Sequence, residues 1–166
     1  GQLSMGTISY AANHGDVSAP YKENVIGSGV RIVSLGGIVG SDANIKGSGF
    51  IDRAYNDGNI GNLDGNYIAG IIGLSYNTTA SNVYNTGKVT GANYSGGLAG
   101  FVIGGSIENA YSSEPVSTYS GYELVGELKN AAVKNAYFAG SSNKLVGIEK
   151  NSTTEEFEAY SVDSLS

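Results

Sequence analysis

The sequence predicts an all-β chain wound as a right-handed parallel β-helix, a β-solenoid of about five coils, and three observations carry that prediction. One segment is written repeatedly: Gly6-Thr-Ile-Ser-Tyr-Ala-Ala12, Gly49-Phe-Ile-Asp-Arg-Ala-Tyr55, Thr78-Thr-Ala-Ser-Asn-Val-Tyr84, Gly105-Ser-Ile-Glu-Asn-Ala-Tyr111 and Ala131-Ala-Val-Lys-Asn-Ala-Tyr137. Each copy is followed by a glycine-bounded apolar pair, Ile38-Val39-Gly40, Ile71-Ile72-Gly73, Leu98-Ala99-Gly100, Leu124-Val125-Gly126 and Leu145-Val146-Gly147. Finally, two spacings are fixed and one is elastic. The closing glycine precedes the next apolar position by 7 residues in Gly73 to Ala80, Gly100 to Ile107 and Gly126 to Val133. From that position to the next apolar residue is 9 in Ile8 to Val17, Ile51 to Ile60, Ala80 to Val89 and Ile107 to Val116. The rest of the unit, up to the closing glycine, runs 23, 13, 11 and 10 residues in successive copies.

Fixed sides and one elastic corner are what stacked strands require, because equivalent residues must sit above one another at about 4.8 Å while insertions bulge outward. Gly, Asn, Asp and Ser punctuate short β-branched and aromatic runs, which argues for β rather than helical coils.

The first copy carries a long corner insertion, Ser18 to Ser34, about ten residues longer than the others. It holds Tyr21, Lys22, Glu23 and Arg31 with an apolar set of Val25, Ile26, Val30, Ile32 and Val33. Such a loop serves recognition, with Tyr21, Lys22 and Arg31 as candidate binding residues, or it covers the open first coil as a capping strand or hairpin. The second copy gathers Asp52, Asp57 and Asp64 in one coil, the pattern to weigh for acid–base chemistry on a polysaccharide or for calcium. Asp52 aligns with Ser81, Glu108 and Lys134 at an outward strand position, and Asp57 and Asp64 each precede a turn glycine, which is ordinary turn chemistry.

Two ladders emerge from the aligned copies. Asn82, Asn109 and Asn135 share one position, where stacked amides bond from coil to coil and satisfy groups that a corner would otherwise bury. Tyr55, Tyr84, Tyr111 and Tyr137 share another. Strict alternation from Ile51, Ala80, Ile107 and Val133 makes them a stacked aromatic core, whereas a bend at the asparagine turns them outward as a binding strip. At the end of the chain Ser152-Thr-Thr-Glu-Glu-Phe157 has the spacing of a helical capping box, predicting a short C-terminal helix over the last coil, or a linker. The expected division is therefore a repeat domain over 1–150 and a cap or linker over 151–166.

Composition narrows the function classes. The formal charge is −6 with no run of Lys or Arg, which disfavours nucleic acid, and no apolar stretch has the length of a membrane span. There is no cysteine, so disulfides and thiolate metal sites are excluded. The single histidine, His14, sits in a turn and reads as structural or solvent-exposed rather than as a ligand. A Gly-x-Ser-x-Gly elbow, a phosphate loop and a cysteine nucleophile are all missing. No cofactor or metal is expected in this chain.

The succession Asn85-Thr-Gly-Lys-Val-Thr-Gly91, Gly96-Gly-Leu-Ala-Gly100 and Gly105-Ser-Ile-Glu-Asn-Ala-Tyr111 closely resembles the GLUG repeat. Asn56-Asp-Gly-Asn-Ile-Gly61 with Ala69-Gly-Ile-Ile-Gly73 is a good second copy. The fourth copy departs from the pattern, with Glu114-Pro115 for a glycine step and Tyr122-Glu123 for Gly-Gly. The fifth is truncated, passing from Phe138-Ala-Gly140 within a few residues to Leu145-Val-Gly147.

Repeats of this kind occur in large secreted or wall-anchored bacterial proteins, notably immunoglobulin A-specific zinc metallopeptidases and filamentous-haemagglutinin-like adhesins. The resemblance implies a non-catalytic, extracellular module, secreted or cell-wall associated, excised from a larger chain. Its most specific implication is the middle region of an immunoglobulin A-cleaving metallopeptidase, acting as a spacer and in substrate recruitment. The partners are then neighbouring domains of the same chain and host immunoglobulin A or another host surface protein. An adhesin segment binding host protein or glycan is the alternative, and a polysaccharide-degrading β-helix enzyme the third reading.

Overall fold

Apolar residues that recur along the sequence lie over one another in space. In the computed structural model, which describes residues 2–19, 33–42, 46–61, 65–148 and 157–162, Val17, Ile60, Val89 and Val116 are successive partners in one parallel ladder. Ile8, Ile51, Ala80, Ile107 and Val133 form a second. Val39, Ile72, Ala99, Val125 and Val146 form a third. The chain is a parallel β-solenoid, each complete coil contributing one residue to each column.

The chain opens with β1 (Gln2–Leu3), and the first coil then runs through β2 (Gly6–Ser9), β3 (Ala12–Asn13), β4 (Val17–Ser18), β5 (Ser34–Gly36) and β6 (Val39–Asp42). The second comprises β7 (Gly49–Asn56), β8 (Ile60–Gly61), β9 (Tyr67–Ala69) and β10 (Ile72–Tyr76). In the third, β11 (Thr79–Asn85), β12 (Val89–Gly96) and β13 (Ala99–Ile103) each fill one side; β14 (Ser106–Ser112), β15 (Val116–Tyr122) and β16 (Val125–Lys129) repeat this in the fourth. After them come β17 (Ala132–Ala139), β18 (Val146–Ile148) and β19 (Phe157–Val162).

Three parallel faces result. The first stacks β1, β6, β10, β13, β16 and β18; the second stacks β2 with β3, β7, β11, β14, β17 and β19; the third stacks β4, β8, β12 and β15, with β5 and β9 on its far half. Four complete turns are followed by a fifth with two sides, because Gly140 to Leu145 pass directly from β17 to β18. That is the truncation visible in the sequence. Where a short C-terminal helix was expected, the chain from Phe157 is β19, paired parallel with β17; Ser152 to Glu156 lie outside the described residues.

The core is a narrow apolar column. Ile51, Ala80, Ile107 and Val133 are buried on the second face, as are Ala54, Val83, Ala110 and Ala136 three positions further along each strand. Ile71, Leu98 and Leu124 fill the corner before the first face, and Ile60, Ile68 and Val89 make a separate cluster under the third, joined by Val33 and Leu35. Burying each large aliphatic side chain contributes about 1.5–3 kcal/mol.

The closing glycines are set by close approach. A Cβ on Gly100 would lie 2.4 Å from the Gly73 carbonyl oxygen, on Gly126 2.5 Å from that of Gly100, and on Gly147 2.1 Å from that of Gly126. Only a residue without a side chain lets the backbones stack there. At the corner from the first face to the second, Asn77, Gly104 and Asn130 take positive φ of 54°, 68° and 48°, which asparagine and glycine tolerate best.

Candidate functional site

The second face carries the site because its strands are bent in the middle. Tyr10, Arg53, Asn82, Asn109 and Asn135 have φ of 56°, 52°, 55°, 49° and 48°, one left-handed residue per rung. Each inserts an extra step between two inward residues, so Ile51 and Ala54, or Ile107 and Ala110, both point to the core. Strict alternation therefore fails. Of the two arrangements open from the sequence, the bend gives the outward strip and not the aromatic core: Tyr55, Tyr84, Tyr111 and Tyr137 face outward, with Tyr84 41% and Tyr137 37% exposed.

The register extends this column to a residue that sequence reasoning missed. Tyr55, Tyr84, Tyr111, Tyr137 and Tyr160 are successive partners across β7, β11, β14, β17 and β19. Tyr55 and Tyr84 stack with ring centroids 4.8 Å apart and planes 2° from parallel, and Tyr137 and Tyr160 stack at 5.4 Å. Between the two pairs an open cleft of about 400 Å³ is lined by Asn109, Ala110, Tyr111, Asn135 and Tyr137. The signal for Tyr160 was the Ala159-Tyr160 pair, hidden because the segment before it lacks the repeat's spacing.

Beside the tyrosines runs a rail of exposed carboxamides. Asn135 donates to Asn109 at 3.2 Å, Asn109 to Asn82 at 3.5 Å, and Asn82 to the Asp52 carboxylate at 2.8 Å. The chain is directional, each amide donating towards Asp52, which also pairs with Arg53. The Asn82 amide, and after it the Arg53 guanidinium, hold the Asp52 carboxyl below the usual carboxylate value. This ladder bonds from coil to coil as expected, but on the surface rather than in a buried corner. The guanidinium of Arg53 also lies over the Tyr10 ring, 4.4 Å from its centroid.

The buried ladder is another one. Half-buried Asn13 and fully buried Asn56 and Asn85 stack in the corner after the second face: Asn13 donates to Asn56 at 2.6 Å and Asn56 to Asn85 at 2.7 Å. Each also donates to the carbonyl two residues on, at Gly15, Gly58 and Gly87. Asn-x-Gly at 13–15, 56–58 and 85–87 was its signature in the sequence. Gly58 and Gly87 lack room for a Cβ, which would meet the Gly15 and Gly58 carbonyl oxygens at 2.1 and 2.0 Å.

The acidic candidates are held apart by different partners. Asp52 is tied to Asn82 and Arg53. Asp57 lies at the corner, where it accepts from Nδ1 of exposed His14 at 2.9 Å. The other imidazole nitrogen of His14 accepts the Tyr55 hydroxyl at 3.2 Å, so His14 closes one end of the tyrosine column edge-on. Asp64 lies outside the described residues, as do Tyr21, Lys22 and Arg31. Among the described residues no group of three or more His, Cys, Asp or Glu side chains is placed to hold a metal ion. A second aromatic group, also missed, joins exposed Tyr94 to half-buried Tyr67 and Phe101 with centroids 5.6–5.9 Å apart. Burial, then the neighbouring Tyr94, pushes the Tyr67 phenol above its ordinary value.

No curated protein and no solved structure matches the chain. Residues 91–117 match the family model of the GLUG motif. That stretch, from β12 through β13 and β14 into β15, is 27 residues (117 − 91 + 1), the same offset that separates Tyr84 from its partner Tyr111. The chain is thus a β-solenoid that carries the GLUG motif, with one motif length corresponding to one turn of the coil.

Proposed function

We propose that this chain is a non-catalytic, extracellular β-helix module of a large bacterial surface protein, and that the tyrosine column of its second face holds a protein partner. The observation that supports this reading is the outward, in-register run from Tyr55 to Tyr160 beside a rail of carboxamides. Tyrosine offers large contact area with little rotamer entropy to lose, and a neighbouring amide rail offers hydrogen bonds across a flat surface. Paired rings cover each other's faces, leaving edges and hydroxyls for contact, an arrangement better suited to a protein surface than to sugar stacking.

The finer reading, drawn from the GLUG resemblance, is the middle region of an immunoglobulin A-cleaving metallopeptidase. There the module spaces the protease domain from the wall and helps hold the antibody. Titrating the isotope-labelled chain with immunoglobulin A tests it: the rings of Tyr84, Tyr111 and Tyr137 shift, and a Tyr84→Ser, Tyr137→Ser double variant loses the response. An unchanged spectrum at millimolar antibody removes recruitment and leaves spacing.

One observation favours the adhesin reading. The cleft between Tyr111 and Tyr137 is where the ring pairing is interrupted, with the amides of Asn109 and Asn135 alongside, the combination a sugar ring uses. Glycan-array binding that Tyr111→Ala abolishes, without any response to immunoglobulin A, selects it.

A further inference from the structure

The third face ends abruptly. Each of its lower rungs has a strand above it, but β15 pairs with β12 alone among the described residues, because Gly140 to Leu145 bypass that side of the fifth coil. Burial records the missing neighbour. Ile60 and Val89 are 1% and 0% exposed, whereas Val116, next in the same column, is only half-buried.

The backbone shows what belongs there. The Val17 amide donates upward to the Asn59 carbonyl oxygen at 2.9 Å, and that of Ile60 to the Lys88 carbonyl oxygen at 2.8 Å. At Val116 the corresponding acceptor is a side chain: Oε2 of Glu123, at 3.0 Å. A carboxylate thus stands in for the carbonyl of an absent rung. By the two-residue period of a strand, Thr118 and Ser120 direct their amides to the same edge, where a groove of about 360 Å³ runs beneath Lys144. The departure of Tyr122-Glu123 from Gly-Gly has its explanation here, since the truncated coil leaves Glu123 space to fold over the edge.

We propose that the edge of β15 is a strand-acceptor site that takes an extended peptide segment free of acidic residues as the fifth rung of the third face, with the Glu123 carboxylate as its gate. The segment lies parallel to β15, places a β-branched residue over Val116, and supplies the carbonyl that displaces Glu123. A second copy of the chain is a poorer occupant. The opposite end of this face offers β4 and β5, separate strands of two and three residues, against the seven of β15.

The chain's own third rung supplies the probe, a fluorescein-labelled peptide Lys-Val-Thr-Gly-Ala-Asn-Tyr copying Lys88 to Tyr94. Fluorescence anisotropy against the full chain reads its binding. The proposal expects binding to the wild type, at least tenfold tighter binding to Glu123→Ala, and none to Thr118→Pro, which removes an edge amide at a position proline tolerates. A peptide with aspartate in place of its valine does not bind, a control independent of how the protein variants fold. Absence of binding to both wild type and Glu123→Ala at millimolar concentration overturns the proposal, as does equal binding by the aspartate peptide. Self-association of the chain that the peptide fails to compete with assigns the edge to a second copy and overturns it too.

Discussion

Asn56 donates from its side-chain amide to the side-chain oxygen of Asn85 at 2.7 Å, one rung above, and both side chains are fully buried. A buried amide that loses such a partner keeps its desolvation cost, so Asn85→Ala is expected to destabilise by about 1–3 kcal/mol in urea denaturation. Asn109→Gly on the exposed ladder is the comparison. Glycine adopts φ near 49° freely, and that variant is expected to stay within about 0.5 kcal/mol of wild type.

The buried ladder stops one rung short. Ser112 partners Asn85 in the register, is itself buried, and its hydroxyl has no hydrogen-bond partner. Ser112→Asn continues the series of Asn13, Asn56 and Asn85 and gives the Asn85 amide an acceptor above it. A gain of about 0.5–1.5 kcal/mol is expected, read as a raised midpoint with an unchanged m-value. A loss would mean that Phe138, the next residue in that column, leaves no room.

Glycine is required at some rungs and replaceable at others. Gly100→Ala sets a methyl 2.4 Å from the Gly73 carbonyl oxygen and is expected to cost about 1–3 kcal/mol or more by overpacking. At Gly61 a Cβ meets nothing nearer than Thr90 at 3.7 Å, and Gly61→Ala is expected to be neutral or to stabilise by up to about 1 kcal/mol through the unfolded chain. Thermal unfolding of the two variants separates close approach from mere flexibility.

The amide rail sets a pH dependence. Because the Asp52 carboxyl titrates below its ordinary value when folded, its contribution is present above the unfolded value near 3.8 and is lost as the pH falls through the folded one. An NMR titration of Asp52 is expected to move back towards the ordinary carboxylate range in Asn82→Ala, whose side chain is the largest cause of the shift. An unchanged midpoint would assign the effect to Arg53 instead.

The columns of the solenoid were legible because stacking demands one residue type per rung: the apolar ladders through Val17 and Ile51 were readable from two spacings. Which way the tyrosines face was not. That depends on one left-handed residue per strand, and while asparagine hints at it in three rungs, Arg53 and Tyr10 adopt the same conformation without any such hint. Asn82, Asn109 and Asn135 were expected to satisfy a corner that buries them, yet the buried asparagines are Asn56 and Asn85, with half-buried Asn13 one rung below. Glu123 appeared as a lapse in the motif, because its role depends on a strand that the next coil does not supply.

Adjacent coils stack in register with their tyrosines turned to solvent, and one nuclear Overhauser spectrum of the labelled chain tests that arrangement. Cross-peaks are expected between the rings of Tyr55 and Tyr84, 29 residues apart in sequence (84 − 55) and 4.8 Å apart in space, with none from either ring to the methyl groups of Ile60 or Val89. Cross-peaks from those rings to the core methyl groups, with no contact between the two tyrosines, would contradict it.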